Sequence, residues 1–249
     1  WNAAGNAAYS FTSLFYLIFA ARILGKDGAG PFAIAFTTST ILLCLGLYGI
    51  RNYQVTDIHS VHSTGSYITA RLLTSSLMLP AGLIFCLLSG YGSEKTWLVV
   101  LLLLGKTAES MSDVFYGIMQ KNGRLHLAGI SMTVRSILSV IMFYAGLKIT
   151  HNLLWAAALL SLCAFLTLFT IDIPCARKIE PIHLSADKAA WTRLLRICFP
   201  VFAAAIISAV LTNMPKYAID AVMEDRYQTV YGIIAMPGTA ILLFSQIMT

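Results

Sequence analysis

Long apolar stretches alternate with short polar segments along the whole chain. Eight of these stretches run for about 20 residues with few charges, the length that an α-helix needs to cross a bilayer. Each is predicted to be helical because the hydrocarbon core offers no water to pair with free backbone groups. The predicted spans are 2–24, 30–50, 66–90, 96–119, 127–149, 152–172, 196–219 and 229–249. The pattern therefore predicts an all-α, polytopic membrane protein with about eight transmembrane helices.

Composition narrows the function classes. Of the 249 residues, 58% are hydrophobic and only 11% are charged, whereas soluble domains carry about 25% charged residues. This excludes a soluble enzyme and a nucleic-acid binder in spite of the net charge of +6. The five cysteines have no paired spacing, so neither a disulfide framework nor a metal site is predicted from them. No cofactor is expected.

The spans fall into three predicted regions. Residues 1–172 form an N-terminal six-helix lobe, 173–195 a cytoplasmic linker, and 196–249 the first two helices of a second lobe. The linker is predicted to hold an amphipathic helix capped by Ser185 and lying in the membrane interface, with a plain basic linker as the alternative. Because the chain begins at Trp1 and its last residues still read as membrane helix, we expect it to be a fragment.

The loop charges predict an orientation. Lysine and arginine are enriched in cytoplasmic loops. The loops after spans two, four and six carry eight of them, against five in the opposite loops, which also hold most of the loop carboxylates. The first set of loops is therefore predicted to be cytoplasmic, together with the N-terminus.

Ionisable residues inside the spans are the most informative feature. Each costs about 2.5–3.5 kcal/mol at the bilayer centre, so such residues normally face a bundle interior or a watery cavity. Six are found: Arg71, Lys106, Glu109, Asp113, Arg135 and Lys216. Three of them follow one another at i, i+3 and i+7 in span four, on one face of the helix. They indicate either a solvated cavity for a charged substrate or coupling ion, or ion pairs that hold a bundle together.

Depth along each helix, at about 1.5 Å per residue, predicts the partners. Glu109 is predicted to pair with Arg135 and Asp113 with Arg71, which leaves Lys106 deepest and unpaired. Two residues near span ends are predicted to have no buried role: Lys216, which would extend to the interface, and Asp172.

Prolines and histidines give weaker indications of function than the ionisable residues do. Pro80, Pro215 and Pro237 are expected to kink their helices, which suits alternating access but is also tolerated in ordinary membrane helices. His59 and His62 lie three residues apart without an evident third ligand, so no metal site is predicted.

Several short motifs resemble the bacterial polysaccharide flippases (Wzx-type, O-antigen and related transporters) of the multidrug/oligosaccharidyl-lipid/polysaccharide superfamily. The resemblance covers nearly all of the chain. The motifs are Ala21-Arg22-Ile23-Leu24-Gly25 with Gly30-Pro31-Phe32, Arg51-Asn52-Tyr53-Gln54-Val55-Thr56-Asp57, Glu109-Ser110-Met111-Ser112-Asp113 with Tyr116-Gly117 and Gln120, Ser131 with Arg135, and Asn213-Met214-Pro215-Lys216-Tyr217.

This resemblance implies a transporter, not an enzyme, that flips a lipid-linked oligosaccharide of the undecaprenyl pyrophosphate type across the bacterial inner membrane. Lys106 and Arg135, with Arg71, would then bind the anionic substrate in the cavity. Glu109 or Asp113 would respond to a proton or sodium ion. Membrane lipid and the polysaccharide polymerase or chain-length machinery are the other expected partners, and nucleic acid is not one.

Two other functions remain open from the sequence. A multidrug cation antiporter of the same superfamily would favour net acid in the cavity, and the spans instead carry a slight excess of cations. A membrane-embedded polysaccharide polymerase would need a large outward loop, whereas the longest loop here is predicted to be cytoplasmic.

Overall fold

The computed structural model describes residues 2–57, 61–235 and 238. Within these ranges the chain forms helices joined by short turns, and no strand occurs. The helices are α1 (Asn2–Leu47), α2 (Ile50–Thr56), α3 (Thr64–Ser76), α4 (Met78–Leu88), α5 (Ser93–Lys121), α6 (Leu125–Thr150), α7 (Leu153–Thr167), a π-helical turn (Leu168–Asp172), α8 (Ile173–Arg177), α9 (Lys188–Val222) and α10 (Asp225–Ile234).

Several of the helical segments have the length and apolar character of membrane spans, and α5 is not among them. Among the described residues, five segments are long and apolar enough to cross a bilayer: Ala7–Thr56, Thr64–Leu88, Leu125–Thr150, Leu153–Arg177 and Lys188–Val222. Large apolar side chains such as Leu88, Trp155 and Leu211 are exposed, as expected for surfaces that face lipid. The all-α, polytopic class is thereby confirmed. The number of eight spans stays a prediction, since 229–249 extends beyond the described residues.

The first two predicted spans are joined in α1. Its only interruption is Gly25, whose φ of 79° and ψ of 176° are not helical, so the helix bends there. α1 ends before a left-handed turn at Tyr48 and Gly49 (φ 47° and 67°).

The third span is divided into α3 and α4 at Leu77. Pro80 follows three residues later and cannot donate the hydrogen bond that would continue the helix across this point. Ser63 begins α3, because its hydroxyl accepts from the Ser66 amide. Pro215 lies inside α9 without ending it, and Pro237 lies outside the described residues.

The linker differs from its prediction. Ser185 does not cap a separate helix. Its amide donates to the Thr69 hydroxyl of α3 at 3.0 Å. Asp187 instead caps α9 by accepting from the amides of Ala189 and Ala190. Because α9 then continues unbroken to Val222, the basic segment after Lys188 is the first part of span seven.

α5 lies at the centre of the bundle, where it contacts α1 to α4 and α6 to α8. Two apolar clusters form the core, one around Phe32, Leu103 and Phe143 and the other around Tyr67 and Phe115. Lys106 lies on α5 between the parts that belong to the two clusters. The packing therefore concentrates polar side chains near the middle of the central helix.

Candidate functional site

Lys106 is bound by partners from α1 and its own helix. Its ammonium group lies 2.9 Å from Glu109 Oε2 and 3.2 Å from the Tyr9 hydroxyl. Tyr9 in turn donates a hydrogen bond to Glu109. The ammonium group also lies 5.5 Å and 5.2 Å from the ring centroids of Tyr9 and Phe36, a cation–π geometry. The prediction that Lys106 is unpaired is therefore wrong.

Arg135 pairs with Asp172 and not with Glu109. Its Nη2 lies 2.6 Å from Asp172 Oδ2 and also donates to Ser112, while Nε donates to Thr167 at 3.0 Å. The π-helical turn carries Asp172, and this carboxylate is fully buried and also accepts from Ser131. Both the predicted Glu109–Arg135 pair and the absence of a buried role for Asp172 are corrected, because depth along a helix does not report which way a side chain faces.

The predicted pair of Asp113 and Arg71 is confirmed. Arg71 Nη2 lies 2.7 Å from Asp113 Oδ2, and Arg51 Nη1 lies 3.1 Å from Oδ1. Arg71 also donates to the carbonyl of Gly46 at 2.8 Å and is fully buried. This cluster joins α2, α3 and α5 at one end of the bundle.

A cavity of about 350 Å³ opens beside Lys106, and we refer to it as the first cavity. Lys106, Glu109 and Arg135 line it, together with hydroxyl-bearing side chains: Tyr9, Thr12, Tyr16, Ser136, Ser139 and Ser161. Ser136 is buried, and its hydroxyl has no hydrogen-bond partner among the described residues. A buried polar group without a protein partner is rare, so the Ser136 hydroxyl is available to a polar molecule in the cavity.

The structure thus brings together only part of the predicted site. Lys106, Glu109 and Arg135 share the first cavity, whereas Arg71 and Asp113 are not among the residues that line it. The predicted roles of all five residues in binding or ion coupling stay predictions. No group of three His, Cys, Asp or Glu side chains within the described ranges could hold a metal ion, and His59 lies outside those ranges.

Lys216 also differs from its prediction. Its ammonium group does not extend toward a helix end. It lies 3.2 Å from Thr37 Oγ1 and 3.0 Å from Asn213 Oδ1, between α1 and α9.

Tyr9, Ser136 and Arg51 are site residues that the sequence analysis did not select. Tyr9 and Ser136 are neutral, so charge within a span could not reveal them. Arg51 lies in a predicted loop and was used only for orientation and as part of a family motif. A useful signal would have been the helical spacing of Ser136 and Ser139, which place two hydroxyls on the face of α6 that carries Arg135.

Comparison with known proteins agrees with the motifs. The family described as "Polysaccharide biosynthesis protein" matches residues 1–248. The "Capsular polysaccharide biosynthesis protein CapF" of Staphylococcus aureus is 28% identical over 233 residues, which cover 92% of this chain and 58% of that protein. The chain therefore spans less than two thirds of the length of this relative. No solved structure matches. With a family match along almost its entire length, the chain belongs to the polysaccharide biosynthesis proteins of the flippase type.

Proposed function

We propose that this protein is a flippase that moves a lipid-linked saccharide repeat unit across the bacterial inner membrane. The N-terminus would be cytoplasmic, and the lipid pyrophosphate would pass from the cytoplasmic to the periplasmic leaflet by alternating access. On this proposal the protein is a transporter without enzymatic activity.

The observation that carries the proposal is the charge and position of the first cavity. Lys106 lies near the middle of the 29-residue α5, and at this depth a charge is tolerated only where it faces protein or water. A cavity of reduced dielectric strengthens the attraction between an ammonium group and a pyrophosphate relative to water. The hydroxyl groups that line the cavity would form hydrogen bonds with the polar headgroup of the lipid as it enters.

Glu109 gives the cavity a means of ion coupling. While Glu109 is ionised, it occupies the Lys106 ammonium group at 2.9 Å. Protonation of Glu109 would weaken this pair and leave Lys106 free to attract an anion. The protonation state of Glu109 and the binding of an anion to Lys106 would then be thermodynamically linked.

Charge favours this function over the cation antiporter. The charged side chains that line the first cavity are two cations, Lys106 and Arg135, and one carboxylate, Glu109. A net positive interior attracts an anionic lipid headgroup and repels a cationic drug.

The test is export by cells that depend on the full-length protein carrying Lys106→Met, which keeps the apolar stem and removes the charge. We expect surface polysaccharide to fall about tenfold or more, since a charged hydrogen bond contributes about 1.5–3 kcal/mol. Lys148→Met is the matched control, because Lys148 is exposed at the end of α6. Membrane levels of each variant are measured by immunoblotting. Normal export by an inserted Lys106→Met protein would refute the proposal.

A further inference from the structure

A second cavity, of about 230 Å³, lies between α1, α9 and α10. Its polar lining includes Thr37, Asn213, Lys216 and Gln228, and the rest is mainly apolar. It shares Ser13, Phe36 and Thr40 with the first cavity, so the two are neighbours on either side of one wall of α1. Liquid water occupies about 30 Å³ per molecule, so the space is several times larger than the niche of one buried water.

Lys216 leaves part of its bonding capacity unused. An ammonium group has three protons to donate. Two are directed to Thr37 and Asn213, and no carboxylate of the described residues lies within ion-pair distance. One proton therefore remains for an occupant of the second cavity.

Gln228 offers the second cavity a hydrogen-bond acceptor, whereas Lys216 offers a donor. This side chain is only 2% exposed, and its Nε2 donates to the backbone carbonyl of Lys216. Its Oε1 has no partner among the described residues. A buried acceptor left unpaired costs about 1–3 kcal/mol, so an occupant that donates a hydrogen bond would be stabilised here.

We propose that the second cavity is a binding site for the saccharide part of the transported lipid, engaged through Lys216 and Gln228. A phosphate or carboxylate could accept from Lys216 but would meet the lone pairs of Gln228 Oε1. A sugar hydroxyl or an acetamido group can accept from Lys216 and donate to Gln228 at once. The rings of Phe32 and Phe36 supply an apolar wall for the C–H face of the sugar.

The proposal of this site rests on the proposed function. It assigns the two parts of the substrate to different cavities. The first cavity would take the anionic headgroup beside Lys106, and the adjoining second cavity the neutral sugar. Selectivity for a glycan would then depend on the second cavity, where the hydrogen-bonding pattern excludes groups that only accept.

The test compares two probes on the full-length protein in lipid nanodiscs: undecaprenyl pyrophosphate, and undecaprenyl pyrophosphate carrying one N-acetylglucosamine. Affinities are measured for the unaltered protein, Gln228→Leu and Lys216→Met. Lys188→Met is the matched control, since Lys188 is exposed at the start of the same helix α9. Thermal unfolding reports whether each variant is folded.

We expect the unaltered protein to bind the sugar-bearing probe about tenfold more tightly than the bare lipid, as the hydrogen bonds with Lys216 and Gln228 allow. Both variants should reduce this ratio to about one while binding of the bare lipid is kept. If a folded variant retains the full ratio, or loses both probes equally, the site is refuted. Should Gln228→Leu not fold, Lys216→Met decides alone. Failure of the unaltered protein to bind either probe would instead refute the proposed function.

Discussion

Arg135 depends on three helical segments at once. From α6 it reaches Ser112 on α5, Thr167 on α7 and Asp172 in the π-helical turn. Nη1 has no hydrogen bond to any described residue, while the side chain lines the first cavity. Burying an ion pair is weakly favourable at best, but breaking one strands a charge. Asp172 therefore fixes one side of the guanidinium group, while Nη1 is left without a hydrogen bond to the described residues.

We predict that Asp172→Asn destabilises the protein by about 3 kcal/mol, because it leaves Arg135 buried without a counter-charge. The measurement is unfolding in detergent, followed by circular dichroism. An unchanged free energy of unfolding would contradict the prediction.

A double variant separates stability from function. Arg135→Met with Asp172→Leu removes both charges, and exchange of a buried pair for apolar residues is often neutral. Its stability should return toward that of the unaltered protein, whereas export should stay low if Arg135 binds substrate. Recovery of both would assign the pair to folding alone.

At the scale of elements, α1 depends on one backbone position. Gly25 has a φ of 79° with a ψ of 176°, a region that residues other than glycine rarely adopt. A Cβ at Gly25 would meet no atom within 4 Å. The requirement for glycine is thus conformational and not one of space.

We predict that Gly25→Ala destabilises the protein by about 1–3 kcal/mol, the range for a residue forced into such a conformation. The measurement is the thermal unfolding midpoint in detergent. Gly92→Ala is the control, because Gly92 also lies in open space but has φ −64° and ψ 166°, which alanine adopts readily. Equal midpoints for the two variants would show that the bend does not need glycine.

Sequence could predict the helices better than their contacts. Apolar length is a local property, so the bounds of the helices α5 and α6 were predicted to within a few residues. The Asp113–Arg71 pair was also accessible, because both lie near the same end of their helices. The ion-pair partner of Lys106 was accessible too, because Glu109 lies three residues along the same helix. Its contact with Tyr9 was not, since Tyr9 is separated from it by 97 residues and carries no charge. The π-helical turn likewise sets the direction of Asp172 through a local change of helical pitch that apolar periodicity does not reveal.

At the scale of the whole molecule, a polar cluster joins α9 and α10 to the start of α5. This cluster lies at the end of the bundle opposite to Arg71. Lys95 at the start of α5 lies 2.7 Å from Asp225 Oδ1 and 3.4 Å from Asp220 Oδ1. The Tyr91 hydroxyl donates to Asp220 at 2.7 Å. Burial lowers the pKa of Lys95, but its bonds to these carboxylates raise it above the ordinary value. A lysine whose pKa is raised by folding stabilises the folded protein fully at every pH below the ordinary lysine pKa of about 10.4. The ion pairs of Lys95 therefore contribute fully at neutral pH.

Alternating access would require this end to open, and charge reversal tests that step. We predict that Lys95→Glu separates α9 from the start of α5, because a carboxylate would then face Asp220 and Asp225. A partly exposed pair contributes about 1 kcal/mol, so the ratio of open to closed molecules should change about fivefold. The measurement is the distance between spin labels at Ser93 and Met223, both exposed, in protein whose native cysteines are replaced.

A compensating second substitution tests whether the effect of Lys95→Glu is electrostatic. Adding Asp225→Lys to Lys95→Glu restores one pair of opposite sign across the same contact, so the shorter distance should return. Lys148→Glu, at an exposed position on α6, should leave the distance distribution unchanged. If Lys95→Glu gave the distribution of the unaltered protein, the contact would be incidental to opening. If the double variant stayed open, the effect of Lys95→Glu would be a loss of packing and not one of charge. If the double variant regains the closed distance that Lys95→Glu lost, Lys95 is identified as the residue that holds this end of the protein closed.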